Sequence, residues 1–394
     1  MSLIDVAQAQ QRLFSLTSAV ETEDVPLAKA HGRWLSRDVM ALRDQPWSDL
    51  SAMDGYAIRH ASLPGPWTVI GESAAGGDCT LEIGANEAVR IFTGAAMPKS
   101  ADCVLIQEEA EIREGQLVLT GEGPDRPGKH LRARGSDFAT GALLLAKGSK
   151  VGARQVALAA IGGHGTLPIH RRIKVALFST GNELVEPGKQ ARATDLPASN
   201  GVMLRAMLAG LPVTVDDLGI IPDDLAAQTE AFRRALAADV IVTTGGASVG
   251  DHDLVKPAFE AVGGSVDFWR IALRPGKPLI AGHKDRTLFL GLPGNPVSAF
   301  VTATLFLLPL VRHMSGANDP LPSLTSTLLA QDMPATSTRA NYIRAIVQDG
   351  IARPCASQDS AALLSLANAN ALLVRPPHSG PAKKGDRAEV ILLS

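Results

Sequence analysis

Between residues 172 and 311 the chain alternates between short continuous apolar runs and longer stretches of helical spacing. The apolar runs predict strands at 173–178, 213–221 and 239–244. The stretches of helical spacing predict helices at 200–211, 224–238, 254–262 and 297–313. Strands that alternate with helices are typical of a doubly wound parallel sheet, so we predict an α/β domain here. Ligands of such sheets bind where the strands end.

The segments before and after this region have a different hydrophobic pattern from the region itself. Residues 43–137 contain apolar runs of four or five residues separated by Gly, Pro and Asp, which predicts a small β-rich domain. Residues 4–19 and 154–161 have helical composition, and the run at 143–145 is extended. From residue 319 onward, short extended runs between Pro- and Gly-rich joints predict a small β-barrel.

The amino-acid composition argues against some classes of function for this chain and leaves others open. Hydrophobic residues make up 45% of the chain, enough for sizeable cores. The 38 Lys and Arg against 40 Asp and Glu leave a net charge of −2, so no basic field attracts nucleic acid or an anionic membrane. Aromatic residues are only 4%, which leaves few platforms for stacking bases. We expect neither nucleic acid nor a membrane as a partner.

The cysteines and the N-terminus predict a cytoplasmic protein. Cys79, Cys103 and Cys355 are far apart and lack metal-ligand spacing, which indicates a reducing compartment. The N-terminal segment has no basic start and no apolar run of the kind that a signal peptide needs. The most apolar stretch, 299–311, is shorter than the ~18–20 residues that cross a bilayer.

A glycine-rich loop at 244–250 follows a predicted strand and precedes a predicted helix. Backbone N–H groups in such a loop can turn toward an anion, and the dipole of the following helix adds to the attraction. The loop matches neither a Walker A motif nor a dinucleotide-binding fingerprint. A tight turn without any ligand is the alternative interpretation.

Acidic residues follow two of the predicted strands: Asp223 and Asp224 after one, and Asp251 and Asp253 after the next. Carboxylates that converge from neighbouring strand ends can hold Mg²⁺, which favours oxygen ligands and brings phosphates with it. Alternatively, each of these carboxylates caps the helix that it precedes.

Three cations, Arg270, Arg274 and Lys277, surround a Pro-Gly turn, which could clamp an anion or could be a solvated surface turn. Asp54 and the stretch 132–137 could likewise belong to a site or to ordinary β-turns. No serine or cysteine nucleophile occurs in a motif with a matched base, and the histidines show no ligand pairing. Covalent catalysis and zinc chemistry are therefore not expected.

A series of motifs then identifies a resemblance. In chain order they are Ser51-Ala-Met-Asp-Gly-Tyr-Ala57, Thr93-Gly-Ala-Ala-Met-Pro98, Arg134-Gly-Ser-Asp137, Ser179-Thr-Gly-Asn-Glu-Leu184, Thr244-Gly-Gly-Ala-Ser-Val-Gly250, Arg274-Pro-Gly-Lys-Pro278 and Gly291-Leu-Pro-Gly-Asn-Pro296. This order resembles the MoeA family, the molybdopterin molybdenumtransferases, and is similar to the E domain of gephyrin. The resemblance runs from about residue 3 to the C-terminus.

The resemblance implies an elongated homodimer of four-domain subunits. Domain I would be split between residues 1–42 and 138–171, with the β-rich domain II inserted at 43–137. Domain III, at 172–318, would be the α/β domain shared with the adenylyltransferase MogA, and domain IV, at 319–394, the barrel. The implied reaction inserts molybdate into adenylylated molybdopterin with Mg²⁺ and releases AMP. Other proteins of molybdenum cofactor biosynthesis are implied partners.

The resemblance also assigns roles to individual residues. Those implied to hold the substrate phosphates are Thr244, Gly245, Gly246, Ser248, Gly250, Pro293, Gly294 and Pro296. Those implied to hold Mg²⁺ or the pyrophosphate are Glu183, Asp223 and Asp253. Those implied to hold molybdate and other anionic groups are Arg270, Arg274 and Lys277. The partner subunit's second domain would contribute Asp54, Thr93, Arg132 and Asp137, and domain IV would contribute Arg344 and Ser360.

Among these, the residues with an implied catalytic role are Asp54, Asp137, Asp223, Asp253, Arg270 and Arg274. Two other interpretations stay open at this point. The first is a MogA-like molybdopterin adenylyltransferase, since domain III alone has similar motifs. The second is a non-enzymatic scaffold that binds the pterin without transforming it.

Overall fold

The N-terminal helix packs on a part of the fold that is distant in sequence. The computed structural model describes residues 3–190, 192–246 and 254–393. In the first segment the elements are α1 (Val6–Ser15), β1 (Thr22–Pro26) and β2 (Val39–Met40). Helix α1 starts where the Asp5 carboxylate accepts the N–H of Gln8 at 2.8 Å. Its buried Leu13 joins the core of the α/β region, so by packing α1 belongs there.

Residues 43–137 form the β-rich part of the chain. Its strands are β3 (Leu50–Ser51), β4 (Gly55–Ile58), β5 (Thr68–Ser73), β6 (Glu87–Ile91), β7 (Cys103–Ile106), β8 (Ala110–Arg113), β9 (Gln116–Leu119) and β10 (Leu131–Arg132). The main sheet has the order β5-β6-β4-β7, with separate pairs β8-β9 and β3-β10. The fully buried Trp67 fills the core beside Ile58 and Leu105.

The next segment returns to the strands that precede this insert. It contains β11 (Leu143–Leu145), α2 (Ala153–Ile161) and β12 (Thr166–His170). Strand β11 pairs with β2, and β12 pairs with β1 along its whole length. The two segments share one core around Leu35, Val151 and Ile169. They therefore form one unit although the β-rich insert separates them in sequence.

The α/β region contains a six-stranded sheet. Its elements are β13 (Ile173–Thr180), β14 (Leu184–Val185), β15 (Leu196–Pro197), α3 (Ser199–Leu208), β16 (Val213–Ile221), α4 (Leu225–Ala235), β17 (Val240–Thr244), α5 (Val255–Ala261), β18 (Ser265–Arg270), β19 (Leu273–Arg274), β20 (Pro278–Lys284), β21 (Thr287–Leu292), α6 (Pro296–Thr302) and α7 (Leu308–Met314). The strand order is β16-β13-β17-β21-β20-β18.

The predicted doubly wound parallel sheet is confirmed for β16, β13, β17 and β21, which run parallel. The edge differs, because β20 and β18 are antiparallel to their neighbours. A connection of two residues joins β20 to β21, and so short a connection can only reverse the chain. One face of the sheet buries α1, α3 and the α6–α7 helix, and the other buries the rings of Phe232 and Phe259.

One helix of the described chain is long and apolar enough to cross a membrane by length and composition. It runs over 19 residues, Pro296–Met314, through α6, a π-helical segment (Ala303–Leu307) and α7. The helix is longer than the apolar stretch 299–311 suggested. However, 78% of its most apolar window is buried inside the fold, where it forms the centre of the main core.

The C-terminal region is a closed five-stranded barrel, as predicted. Its elements are β22 (Thr325–Leu329), β23 (Ala340–Gln348), β24 (Ile351–Pro354), α8 (Leu363–Ala367), β25 (Ala371–Arg375) and β26 (Arg387–Leu392). The order β23-β24-β22-β26-β25 closes through pairing of β25 with β23. Strand β19 of the α/β region adds in parallel to β23, with Arg274 beside Asn341, so the barrel is joined to the sheet near its cations.

Candidate functional site

Two glycine loops meet at the carboxyl ends of neighbouring parallel strands. Gly245 follows β17, and Gly294 follows β21; a Cβ placed on Gly294 would lie 3.6 Å from the Gly245 Cα. Gly245 has φ +91°, and a Cβ there would lie 2.4 Å from the carbonyl oxygen of Thr180 at the end of β13. Only glycine fits such a position. The three strand ends therefore form a cradle made mostly of main chain, which we call the strand-end site.

Asn200 closes one side of the strand-end site. It lies in the first turn of α3, and its side-chain NH₂ donates to the carbonyl oxygen of Gly294 at 2.7 Å. The opposite atom of the amide, Oδ1, is buried and has no hydrogen-bond partner among the described residues, and the same holds for the hydroxyl of Thr180. Buried polar atoms are normally satisfied, so these two groups are the kind that a polar ligand completes.

The loop that begins at Gly245 falls partly outside the described residues. Gly246, with φ +59°, packs against α5, because a Cβ there would lie 2.4 Å from Val255 Cγ2. The predicted site residues Ser248, Gly250 and Asp253 lie outside the described residues. Their positions in the site stay predictions.

The acidic residues divide between a capping role and a site role. Asp224 caps α4, because its carboxylate accepts the N–H of Ala227 at 2.8 Å. Asp223 instead exchanges hydrogen bonds with Asn182: its Oδ2 accepts the Asn182 N–H at 3.2 Å, and its own N–H donates to Asn182 Oδ1 at 3.0 Å. Glu183, which follows Asn182 in the chain, folds its carboxylate over Gly181. Two carboxylates, Glu183 and Asp223, thus belong to adjacent strand ends, β13 and β16.

The predicted cations Arg270, Arg274 and Lys277 flank a turn that is packed tightly on α6. Gly276 has φ +107°, and a Cβ there would lie 2.6 Å from the methyl group of Thr302. Among the described residues, none of the three cationic side chains forms an ion pair. Three neighbouring positive charges without a counter-ion provide a local attraction for an oxyanion.

The barrel reaches the strand-end site through Ser360. The Ser360 hydroxyl accepts a hydrogen bond from Asn295 Nδ2 at 3.1 Å, and its carbonyl oxygen accepts the Val297 N–H at 3.2 Å. Asn295 belongs to the same loop as Gly294, between β21 and α6. Pro293 precedes Gly294, and Pro296 begins α6. Ser360 therefore supports the glycine loop from the barrel side.

Arg344 is placed differently from the other predicted site residues. It is 1% exposed, and its guanidinium donates to the carbonyl oxygens of Asp359 at 2.9 Å and Ser357 at 3.0 Å. Burial lowers the pKa of this guanidinium. The side chain lies behind the loop that carries Ser360 and presents almost no surface to solvent. Its immediate contacts are those of a loop support.

A second group of predicted residues lies in the β-rich region. One oxygen of Asp54 accepts both the N–H and the hydroxyl of Thr93, each at 2.7 Å. The Thr93 N–H, followed by its hydroxyl, holds the pKa of the Asp54 carboxyl below its ordinary value. The next residue, Gly55, is in close contact with β7, where a Cβ would lie 2.1 Å from the Leu105 carbonyl oxygen.

Arg132 and Asp137 belong to this second group. Arg132 ends β10, which pairs with β3 shortly before Asp54 in the chain. Asp137 donates its N–H to the Gln45 carbonyl oxygen at 2.9 Å. In the part of the chain that the structure describes, neither side chain has a hydrogen-bond or ion-pair partner. Both are exposed and available to a ligand.

Comparison with known proteins decides the family. Residues 4–163 match the MoeA N-terminal region (domains I and II), 176–313 a probable molybdopterin binding domain, and 327–393 the MoeA C-terminal region (domain IV). The molybdopterin molybdenumtransferase of Haemophilus influenzae is 36% identical, over 80% of this chain and 78% of that protein. The chain belongs to the MoeA family of molybdopterin molybdenumtransferases. The Bacillus subtilis relative is 31% identical over 99% of this chain and 94% of its own length.

A solved structure of a MoeA-family protein has the same fold along the whole chain. The crystal structure of the molybdopterin biosynthesis MoeA protein from Pyrococcus horikoshii superposes with a TM-score of 0.86 at 28% sequence identity, and each chain is covered completely. The similarity therefore includes the arrangement of the barrel and the β-rich insert as well as the α/β sheet.

The predicted site residues thus form two groups within one MoeA-family chain. The strand-end group contains Thr244, Gly245, Gly246, Glu183, Asp223, Gly294, Arg270, Arg274, Lys277 and Ser360. The second group contains Asp54, Thr93, Arg132 and Asp137. Among the residues described, no hydrogen bond or ion pair connects the two groups. Sequence reasoning missed Asn200, for which the only signal is a polar residue directly before Gly201 in a predicted helix.

Proposed function

We propose that this chain is a molybdopterin molybdenumtransferase, an enzyme that joins molybdenum to molybdopterin. The observation that carries the proposal is the main-chain cradle at Gly245 and Gly294 in the same region as Arg270, Arg274 and Lys277. A main-chain cradle suits the phosphates of a bound pterin. The three cations, which form no ion pair with any described residue, suit a second, separate oxyanion. Relatives that carry this name match nearly the whole chain.

In the finer form of this proposal, the pterin is adenylylated and AMP leaves when molybdate is inserted. N–H groups of the strand-end site would stabilise charge on the phosphates as the phosphoanhydride breaks. Arg270, Arg274 and Lys277 would hold the molybdate dianion beside it. No motif supplies a nucleophile with a matched base, so catalysis by positioning two bound anions is the chemistry that these residues support.

Mg²⁺ is the metal ion that this proposal includes. Glu183 and Asp223 provide carboxylate oxygens at adjacent strand ends, and Mg²⁺ is commonly held by one or two carboxylates together with substrate phosphates. The donor set therefore fits the ion. Bound Mg²⁺ would neutralise charge on the phosphates. Asp253 completes the proposed ligand set from outside the described residues.

A homodimer would bring the two groups of site residues together. In this arrangement Asp54, Thr93, Arg132 and Asp137 of the partner subunit would complete the strand-end site. Exposed apolar side chains on the unit formed by β2, β11 and α2 support a contact between subunits there: Met40, Leu42, Leu143 and Ile161 are 42%, 61%, 54% and 45% exposed. We further propose a cytoplasmic location and handover of the pterin by other proteins of cofactor biosynthesis.

The activity is tested with the purified chain, adenylylated molybdopterin, molybdate and Mg²⁺. We expect AMP release and active cofactor, both dependent on molybdate. Formation of adenylylated pterin from ATP and molybdopterin would instead support an adenylyltransferase. Binding of the pterin without AMP release under any condition would contradict the enzyme and support a scaffold.

The composite site is tested separately by mixing two inactive variants, Asp54→Ala and Arg274→Ala. If each site uses Asp54 from one subunit and Arg274 from the other, half of randomly reassociated dimers carry one intact site. After the subunits have exchanged without unfolding, we expect about a quarter of the wild-type activity, because one of two sites works in half of the dimers. No recovery despite proven exchange would place both residues in one subunit's site.

A further inference from the structure

A cleft of about 640 Å³ lies away from both groups of site residues. One wall is the segment 31–33 with the start of α2, at residues 150–155. The other wall is Arg172 and the turn between α3 and β16, at residues 209–212. Of the described residues, none that is proposed for molybdenum transfer lines this cleft. We call it the basic cleft.

The charge of the basic cleft has one sign. Lys150, Arg154 and Arg172 are exposed and line it, together with His31. Within the described part of the chain, no Asp or Glu contributes to its lining. The C-terminal end of α3 adds about half a negative charge at one wall, which is small against three full positive charges. A cleft of this charge attracts anions, although the chain as a whole has a net charge of −2.

Backbone and buried groups in the cleft also suit an anion. Gly152 and Arg154, at the start of helix α2, line the cleft, so the first helical turn lies at its wall, and the N–H groups of that turn have no acceptor within the helix. Arg33, which is 5% exposed, lines the cleft as well. One of its terminal nitrogens pairs with Glu23 and with the His170 carbonyl oxygen, whereas its Nε is buried and has no partner in the described part of the chain.

We propose that the basic cleft binds a phosphate-bearing small molecule at a site separate from the strand-end site. The size favours such a ligand over an extended polypeptide, because pockets of ~300–1,000 Å³ enclose single small molecules. Bidentate guanidinium groups and free helix N–H groups are the donors that phosphate oxygens accept. This inference goes beyond the proposed molybdenum transfer and does not depend on it.

The test measures pyrophosphate binding by calorimetry and locates it by hydrogen exchange. We expect pyrophosphate to slow exchange in peptides covering residues 150–156 and 209–213. Arg154→Glu should weaken this binding by about tenfold or more, equivalent to at least one lost charge-assisted hydrogen bond. An acidic residue is favourable in the first turn of a helix, so this variant should keep the fold of α2. Arg172→Gln provides a second, independent removal of charge.

The matched control is Arg126→Glu, the same charge reversal at an exposed position in the loop between β9 and β10. It should leave exchange in the cleft peptides and their response to pyrophosphate unchanged. Protection at residues 270–278 alone, with none at 150–156, would overturn the proposal. Protection of the cleft by oligoglutamate but not by pyrophosphate would also overturn it, and would indicate an acidic polypeptide partner. Equal losses in Arg154→Glu and Arg126→Glu would mean that only the overall charge matters.

Discussion

Replacing the buried Arg344 tests whether it acts on a ligand directly or through the loop that it holds. Arg344→Ala removes both guanidinium donors, the one to the Ser357 carbonyl oxygen and the one to the Asp359 carbonyl oxygen, while the Ser357 oxygen keeps the hydroxyl of Ser365 as a donor. A hydrogen bond from a charged donor contributes about 1.5–3 kcal/mol, so the loss of both bonds should cost the loop about 3–6 kcal/mol. The loop carries Ser360, and its contacts with Asn295 and the Val297 N–H should loosen as well.

Hydrogen exchange is the assay, because unfolding of a multidomain chain is not a two-state process. A loss of 3 kcal/mol corresponds to roughly 100-fold faster exchange of amides that open locally. We expect this acceleration in peptides covering 355–362 and 295–298, with little change in the α/β sheet. Arg344→Lys, which keeps the charge but not the forked geometry, should lie between wild type and alanine.

The control is Arg353→Ala, which removes an exposed arginine from the adjacent strand β24. It should not change exchange in the loop. If Arg344→Ala leaves the loop protected while turnover is lost, the support role is wrong and Arg344 contacts the ligand itself. If both the loop and turnover stay unchanged, neither role is correct.

Three further predictions follow from the β-rich region. Gly55→Ala should destabilise this region by about 3 kcal/mol in thermal unfolding, because a Cβ 2.1 Å from the Leu105 carbonyl oxygen forces β4 away from β7. Gly77→Ala is the control, because a Cβ there makes only ordinary contacts. Asp54→Asn keeps an oxygen for the Thr93 bonds, so loss of turnover with an unchanged melting temperature would assign the role to the charge. Hydrogen bonds from Thr140, first from its N–H, lower the pKa of Asp44 to about 2. Between about pH 4 and pH 2 the wild type should therefore lose stability more steeply than Asp44→Asn. Equal slopes of unfolding free energy against pH would contradict this.

Strand β4 shows why some elements could not be predicted from local pattern. The motif that contains Asp54 and Gly55 has residue types typical of a turn, so its local pattern predicts either an ordinary β-turn or part of a site. In the structure Gly55 begins a strand, because the absence of a side chain lets β4 approach the Leu105 carbonyl oxygen. That requirement comes from a strand about fifty residues later in the chain, so no local window contains it.

The site residues show the same limit. The sequence indicated Gly245 and Gly294 because glycine patterns after predicted strands are local signals. It could not indicate Asn200, whose importance comes from the Gly294 carbonyl oxygen that lies beside it only after folding. For Arg344 the family resemblance implied a substrate-binding role, and the structure adds that the side chain is 1% exposed and holds the loop that carries Ser360; its contact with a ligand stays a prediction.

By itself, the sequence determined the parallel strands β13, β16 and β17 and the helices α3, α4, α5 and α6–α7 of the α/β region. It also determined the main-chain character of the strand-end loops and, through its ordered motifs, the family. These depend on periodicity and on residue types close together in the chain. Only the tertiary structure decided that β1 pairs with β12 across the whole insert, that α1 packs on the α/β core, and that Lys150, Arg154 and Arg172 share one cleft. Contacts between distant segments depend on the shapes that both present after folding, and no local pattern encodes that match.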